Sequence, residues 1–411
     1  MKKRLTPSNT LVAIDVGTTK ICVLVAQKVG NNLCEIIGIG RSVSHGLSRG
    51  VVVDVAPAVH AIKAAVQEAE LMAGCSLESA YVGISGAHIS AHCSTGMVPI
   101  KQGLIREHDV NRVLAAARAI PLPEDEQIIH SVSQQFIIDG KHPVRDPLNM
   151  HGVRLECKAH IITGNITLVK NLIMCCQAAG VKVRDIILEP IASAEAVLSP
   201  DEQELGVGIL DIGGGTSDFA IYQRGSIRHT KIFSIAGNLF TNDIALCLRT
   251  TRDEAERIKK EMGTVIPTAT ANEFIEFKSI DESEIKTATT HDLSSILNAR
   301  AEELLTAVNE EISRFNLMPL MPAGLVLTGG GALLKGLATR SQQILGTSVR
   351  TGNPRALSAF KEELSHPLYA TSYGLLLYAL KQSAQSSRAD GTTPVVSRIF
   401  WRMKSWVAEL F

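Results

Sequence analysis

Two short segments carry the chemistry of this 411-residue chain. Ile14-Asp15-Val16-Gly17-Thr18-Thr19 returns, nearly intact, as Leu210-Asp211-Ile212-Gly213-Gly214-Gly215-Thr216. Each is an apolar run ending in one Asp, followed by Gly and Thr. A second apolar run follows each, Lys20–Val25 and Phe219–Tyr222. The spacing predicts two strand–turn–strand hairpins. Glycine lets a backbone approach a phosphate closely, and successive N–H groups in a turn form an anion-binding concavity. Thr hydroxyls add donors. An Asp beside phosphates suits Mg²⁺, a hard cation that takes oxygen ligands and keeps several waters. Two such half-sites could grip one polyphosphate between them. Two ordinary glycine-containing hairpins are the plainer alternative, but they leave the repeated Asp unexplained. No Gly-Lys-Ser/Thr phosphate loop occurs, and Gly213–Gly215 is not followed by the helix of a dinucleotide fingerprint.

The elements that must hold these turns follow from patterning. Residues 11–53 read as strands, and Ala56–Ala73 as a helix ended by Gly74. Tyr81–Gly86 is strand-like. From about Ala87 to Gly164 the pattern changes to a helix near Asp109–Ala119, a Pro121–Pro123 turn and alternating strands, as expected of a separate small unit. A helix over Ile166–Ala179, a strand over Ile186–Leu188 and a helix over Ile191–Leu198 follow. The second half begins at Gly206 with the repeated hairpin. Helices are expected over Phe240–Leu248, Arg252–Glu261, Leu297–Phe315, Leu333–Ile344 and Tyr373–Leu380. Thr264–Ser294 reads as loop or short strands. Gly324–Thr328 reads as a buried strand turning at Gly329–Gly331.

Composition sets the bounds. The length predicts two to four structural units. A formal net charge of zero gives no global reason to expect a nucleic-acid partner. The eight cysteines lack Cys-x-x-Cys spacing, as reduced thiols of a cytosolic protein would. Neither a signal peptide nor a membrane-spanning run is expected.

The end of the chain differs from the rest. Gln382–Pro394 has almost no apolar content and reads as a flexible linker. Both tryptophans lie in the last eleven residues. Ile399, Phe400, Met403, Trp406, Val407, Leu410 and Phe411 share one face of a helix, about 140° wide at about 100° per residue. Arg402 and Lys404 border that face, and Trp401 falls outside it. An in-plane interfacial helix whose basic residues meet anionic headgroups fits this pattern. Docking on protein is the alternative.

These motifs resemble those of the actin-like ATPase superfamily. Asp15–Lys20 is similar to its first phosphate motif and Asp211–Thr216 with Asp218 to its second. Leu325–Ala332 is similar to its adenosine motif, Glu189-Pro190 to its connecting motif, and Ala255–Lys259 to the segment flanking the nucleoside. Within the superfamily the chain resembles the FtsA family of bacterial division proteins. Gly96–Ile100, His229–Lys231, Ala236–Asn238, Val308–Ile312, the Ala87–Gly164 unit and the tail support this.

The resemblance implies an α/β, actin-like (ribonuclease H-like) two-domain ATPase fold with two inserted subdomains and a C-terminal amphipathic helix. Residues 1–86, 165–205 and 356–381 would form the first domain, and 206–242 with 322–355 the second. Residues 87–164 would be a relocated small subdomain, 243–321 a second insertion, 382–395 the linker and 396–411 the membrane helix.

Carried onto this sequence, the resemblance implies ATP and Mg²⁺ as ligands. Asp15 and Asp211 would hold Mg²⁺, mainly through water. Gly17, Thr18, Thr19, Gly213, Gly214, Gly215 and Thr216 would donate to phosphates, and Lys20 would pair with one. Glu256 and Lys259 would flank the nucleoside, and Gly329, Gly330 and Gly331 would pass close to it. Glu189 would orient an attacking water. ATP reads more as an assembly ligand than as a substrate, so no fast enzyme is expected. Residues 243–321, with Arg300 and Glu303, would capture the C-terminal peptide of FtsZ, the tubulin-like division protein. The remaining partners would be further copies of the chain, anionic lipids and later division proteins, at the cytoplasmic face of the inner membrane. A small-metabolite kinase and a pilus-assembly scaffold of the same superfamily are the competing readings.

Overall fold

The computed structural model describes residues 9–29, 33–266, 273–281, 284–355 and 361–387. The chain opens with an antiparallel meander of β1 (Thr10–Val16), β2 (Lys20–Lys28) and β3 (Cys34–Val43). A ribbon of β4 (Leu47–Ser48) and β5 (Val51–Val52) leads to α1 (Val55–Ala73). Ala58, Ala61, Ile62, Ala65, Val66 and Ala69 recur at helical spacing on its buried face, and left-handed Gly74 ends it. β6 (Ser79–Ile84) then runs parallel to β1.

A separate unit follows. β7 (Ser90–Pro99), α2 (Glu107–Arg118), β8 (Glu126–Ile138), β9 (His142–Val144) and β10 (Arg154–Asn165) form a four-stranded antiparallel sheet with one helix across it. Its own core includes Val110, Val113, Phe136, Leu155 and Ile161. The chain re-enters the first domain through α3 (Ile166–Ala178), β11 (Lys182–Leu188), α4 (Glu189–Val197) and α5 (Pro200–Leu205).

The second half repeats the plan. β12 (Val207–Ile212), β13 (Ser217–Gln223) and β14 (Ser226–Phe233) form its meander. Then come α6 (Gly237–Leu248), α7 (Arg252–Met262), the hairpin of β15 (Phe274–Lys278) and β16 (Ile285–Thr289), and α8 (Thr290–Arg314). β17 (Leu325–Thr328), α9 (Leu337–Leu345) and β18 (Val349–Thr351) complete the sheet, and α10 (Lys361–Leu364) and α11 (Ala370–Ser387) close the described chain.

The sheets have the orders β3-β2-β1-β6-β11 and β14-β13-β12-β17-β18. In both, the meander is antiparallel and the two added strands are parallel. The sequence repeat is therefore the visible trace of a repeated domain. α4 and α11 cross between the halves. A Cβ on Gly374 would lie 1.8 Å from the Ala192 carbonyl, so only glycine permits this crossing.

The inserted unit touches both halves. Gln134 Nε2 donates to the Ile227 and Arg228 carbonyls at 3.1 Å each, and buried His160 pairs with Thr230 Oγ1 at 2.9 Å. On the other side, His130 Nε2 accepts from the Leu188 N–H.

Several elements differ from their sequence expectation. α8 starts at Thr290, not Leu297, because Thr289 and Asp292 bond each other's backbone N–H groups in a capping box. Leu333–Ile344 is not one helix. A 3₁₀ turn over Gly330–Leu333 ends before left-handed Gly336, and α9 begins after it. α4 begins at Glu189, with Pro190 in its first turn, where the missing N–H costs nothing. The polar stretch expected to be linker from Gln382 begins as helix, through Ser387. The tail residues Ile399–Phe411 lie outside the described residues. Among the described residues, no helix is long and apolar enough to cross a membrane.

Candidate nucleotide-binding site

Both predicted hairpins form, and each closes in the same way. The Gly17 N–H donates to the Lys20 carbonyl at 3.1 Å, and the Gly213 N–H to the Thr216 carbonyl at 2.9 Å. Gly17, Gly213, Gly214 and Gly215 all have negative φ, so space and not backbone freedom explains them. A Cβ on Gly214 would lie 2.3 Å from Thr19 Cγ2, and one on Gly215 2.3 Å from Thr18 Oγ1. The two turns thus touch across the domain boundary.

The carbonyls of Gly213 and Gly214 accept from the Gly237 and Asn238 N–H groups at 3.0 and 2.8 Å. This ties the second turn to the start of α6. Among the described residues, the N–H groups of Thr18, Thr19, Gly214 and Gly215 donate to no protein acceptor. They are available to an anion.

Four carboxyl groups converge behind the turns. Asp15 and Asp211 are the penultimate residues of β1 and β12, and both are buried. Ser372 Oγ donates to Asp15 Oδ2 at 2.9 Å. Ser193 Oγ and Thr371 Oγ1 both donate to Asp211 Oδ2, the latter at 3.0 Å. Asp218 pairs in register with Asp211, and Ser85 Oγ donates to it from the other domain at 2.6 Å. Half-buried Glu189 completes the set, its Oε1 3.6 Å from where a Cβ on Gly83 would lie. Burial pushes all four carboxyls above the usual range. Repulsion from neighbouring carboxylates adds to this at Asp211, Asp218 and Glu189, the last of which feels Asp218, Asp15 and Asp211, while at Asp15 Lys20 and Ser372 oppose it.

A buried acidic cluster facing a ring of free N–H donors fits a cation bound together with a polyphosphate. Among the described residues no group of three or more ligands already stands at metal-holding distances.

The other expected residues fall as follows. Lys20 lies at the cleft, but its Nζ donates to the Leu368 carbonyl at 2.8 Å and sits 4.4 Å above the Tyr369 ring. Here it bonds the segment before α11 and not the turn. Glu256 and Lys259 pair at 2.6 Å on α7, and Lys259 Nζ also donates to the Gly237 carbonyl and to Thr241 Oγ1. They therefore stand one contact away from the second turn. Gly329 has φ of 80°, and a Cβ there would lie 2.2 Å from Asp211 Oδ1. A Cβ on Gly331 would lie 2.3 Å from Ile212 Cγ2, and one on Gly330 3.0 Å from Leu368. Packing against β12 thus already requires glycine at 329 and 331.

On α8, Arg300 grips Asp243 of α6 with two bonds of 2.6 and 2.8 Å and also pairs with Glu303.

Sequence reasoning left four residues of the site without a role: Ser85, Ser193, Thr371 and Ser372. Isolated hydroxyls carry no pattern, and only the fold brings them to the carboxylates. Asp218 had a signal, the second Asp of Asp-x-Gly-Gly-Gly-Thr-x-Asp, but no role followed from the motif alone.

This duplicated domain, with a glycine-turn cleft between its halves, defines an actin-like fold. The structure aligns with a PilM–PilN type IV pilus biogenesis complex chain at TM-score 0.66 and 17% identity, covering 90% of this chain and 98% of that one. It aligns with MreB5 of Spiroplasma citri bound to AMPPNP at TM-score 0.58 and 15% identity, covering 93% and 99%. The family described as "Cell division protein FtsA" matches residues 208–374, and "SHS2 domain inserted in FTSA" matches residues 86–163. The cell division protein FtsA of Pseudomonas aeruginosa is 38% identical over 408 residues, 98% of both chains. That of Escherichia coli K12 is 34% identical over 415 aligned positions, 99% of this chain and 98% of its own. The chain belongs to the FtsA family of actin-like cell-division proteins.

Proposed function

We propose that this chain is an ATP-binding, membrane-attached adaptor that self-assembles and anchors FtsZ filaments at the cytoplasmic face of the inner membrane. The observation that carries the nucleotide part is the contact of the two repeated turns, each presenting free N–H groups in front of buried carboxylates. Thr18, Thr19, Gly214, Gly215 and Thr216 would hold the phosphates. Asp15 and Asp211 would hold Mg²⁺ through water, and the ion would offset the phosphate charge. Glu256 and Lys259 would flank the nucleoside.

Glu189, first in α4 and facing the cleft, is the residue to orient a water. Its burial among other carboxyls favours the protonated form, which suits slow turnover. A ligand held by both domains biases their closure by its differential affinity. ATP in this reading sets the shape of the assembling unit.

The membrane and partner parts rest on family membership and on sequence. The Ile399–Phe411 face, with Arg402 and Lys404 at its borders, would lie in the headgroup region. One such helix binds marginally, so assembly of many copies would supply the avidity. Residues 243–321 would take the acidic C-terminal peptide of FtsZ, and the inserted unit would meet further copies or later division proteins.

Flotation with liposomes containing anionic lipid tests this. FtsZ filaments should float only with this protein, ATP and an intact tail. Trp406→Glu with Phe400→Glu should abolish flotation and leave ATP binding intact. If the protein floats without FtsZ, the partner assignment fails. If it never floats, the membrane assignment fails.

A further inference from the structure

The carboxylates of the cleft are not held by their own hairpins. Asp15 Oδ2 accepts from Ser372 Oγ, and Asp211 Oδ2 accepts from Thr371 Oγ1. These hydroxyls are neighbours on the first turn of α11. Ser193, on α4, adds a second donor to Asp211 Oδ2 and lies 3.1 Å from Thr371 Oγ1. Ser372 and Ser193 are fully buried.

The geometry sorts the carboxylate oxygens. In each Asp, Oδ2 faces the helix hydroxyls and Oδ1 faces glycine. Asp15 Oδ1 lies 3.9 Å from the position of a Cβ on Gly17, and Asp211 Oδ1 2.2 Å from that of a Cβ on Gly329. One oxygen of each pair is engaged and the other is left toward a glycine turn. A hydroxyl donor also favours the ionised carboxylate, which is the form a cation needs. The Thr371–Asp211 bond spans the two halves of the molecule, because α11 packs on α4 and β1 of the first domain.

We propose that Thr371 and Ser372 are positioning residues for the metal-dependent part of nucleotide binding, orienting Asp211 and Asp15 from the first turn of α11. The proposal rests on the Mg²⁺·ATP reading above. Neither hydroxyl needs to touch the nucleotide. Outer partners of this kind typically set metal affinity by about 10–100-fold.

The test uses the full chain, a fluorescent N-methylanthraniloyl ATP and equilibrium titration, with Mg²⁺ or with EDTA. The wild type should bind more tightly with Mg²⁺. Thr371→Val and Ser372→Ala should each lose most of that Mg²⁺-dependent gain, about tenfold, while binding in EDTA stays as in wild type. Thr371→Ser should restore the gain, since it keeps the hydroxyl. Melting curves without ligand check folding, and Thr371→Ser against Thr371→Val keeps the comparison valid if the apolar variants melt early. A loss of equal size in EDTA and Mg²⁺, or no loss in either, overturns the positioning role while the Mg²⁺ reading stands. A wild type indifferent to Mg²⁺ overturns that reading and this proposal together.

Discussion

His130, on β8 of the inserted unit, accepts a hydrogen bond from the N–H of Leu188 at 3.0 Å, one residue before Glu189. The acceptor nitrogen must be unprotonated. Burial holds this imidazole neutral, with its pKa pushed down to about 4. His160, at the seam with the second domain, is pushed down to about 3, by burial first and then by His229 and His92. Unfolded, both would titrate near 6.5. Above that value the two states bind the same protons. Below it the unfolded chain binds more, so stability is lost as pH falls. At pH 5 each histidine costs about 2 kcal/mol. The raised carboxyls of the cleft act in the opposite direction, so the histidine part is read by difference. His160→Gln should be less stable than wild type at pH 7.5 and should lose less on going to pH 5. Urea unfolding at the two pH values measures this, and parallel losses would contradict it.

Gly215 and Thr18 occupy one another's space. The Thr18 hydroxyl also accepts from the Gly50 N–H at 2.9 Å, so it is not free to turn away. Gly215→Ala should hold the two turns apart. We expect ATP affinity to fall about tenfold, equivalent to about 1.4 kcal/mol, with little change in melting temperature, because the clash lies between the halves. Calorimetric titration and thermal melting check this. Unchanged affinity would mean that the turns need not meet.

Glu189 separates binding from hydrolysis. Glu189→Gln should lower ATP hydrolysis about 10²-fold or more without weakening ATP binding, because it removes one of four mutually repelling groups. Its stability effect has a definite sign. A carboxyl whose folded pKa is raised costs stability as pH rises toward that value. The variant should therefore melt higher than wild type at pH 8 and differ less at pH 5.

The repeated Asp-x-Gly hairpins were legible because their chemistry needs contiguous residues, and the apolar runs beside them fix the strands. The identical topology of the two sheets follows from that repeat. Other parts were not legible. The α8 start was hidden by a cap with Asp where Glu or Gln is usual. The Leu333–Ile344 break was hidden in an apolar run that Gly336 interrupts. The hydroxyls of Ser85, Ser193, Thr371 and Ser372 reach the carboxylates from three places, the end of β6, α4 and α11, and no local pattern encodes such a meeting. The contact of the Lys20 side chain with Leu368 and Tyr369 comes from a segment far along the chain.

Arg300 is not a free cation. Its two bonds to Asp243 hold it above its usual pKa. Arg300→Ala should reduce capture of the FtsZ C-terminal peptide and destabilise the chain by about 1–2 kcal/mol, between the values for exposed and buried pairs. Asp243→Ala should also destabilise it, yet leave Arg300 with Glu303 as its remaining partner and keep or tighten peptide binding. Peptide titration of both variants checks this. Equal weakening in both would assign Arg300 a purely structural role.

The central claim is that two repeated turns form one nucleotide site. Calorimetric titration with ATP and Mg²⁺ tests it most directly, on wild type and on Gly17→Val and Gly213→Val, one in each turn. We expect one ATP per chain in the wild type and strong loss of binding in either variant. Two ATP per chain, or one variant that binds like wild type, would contradict a site shared between the halves.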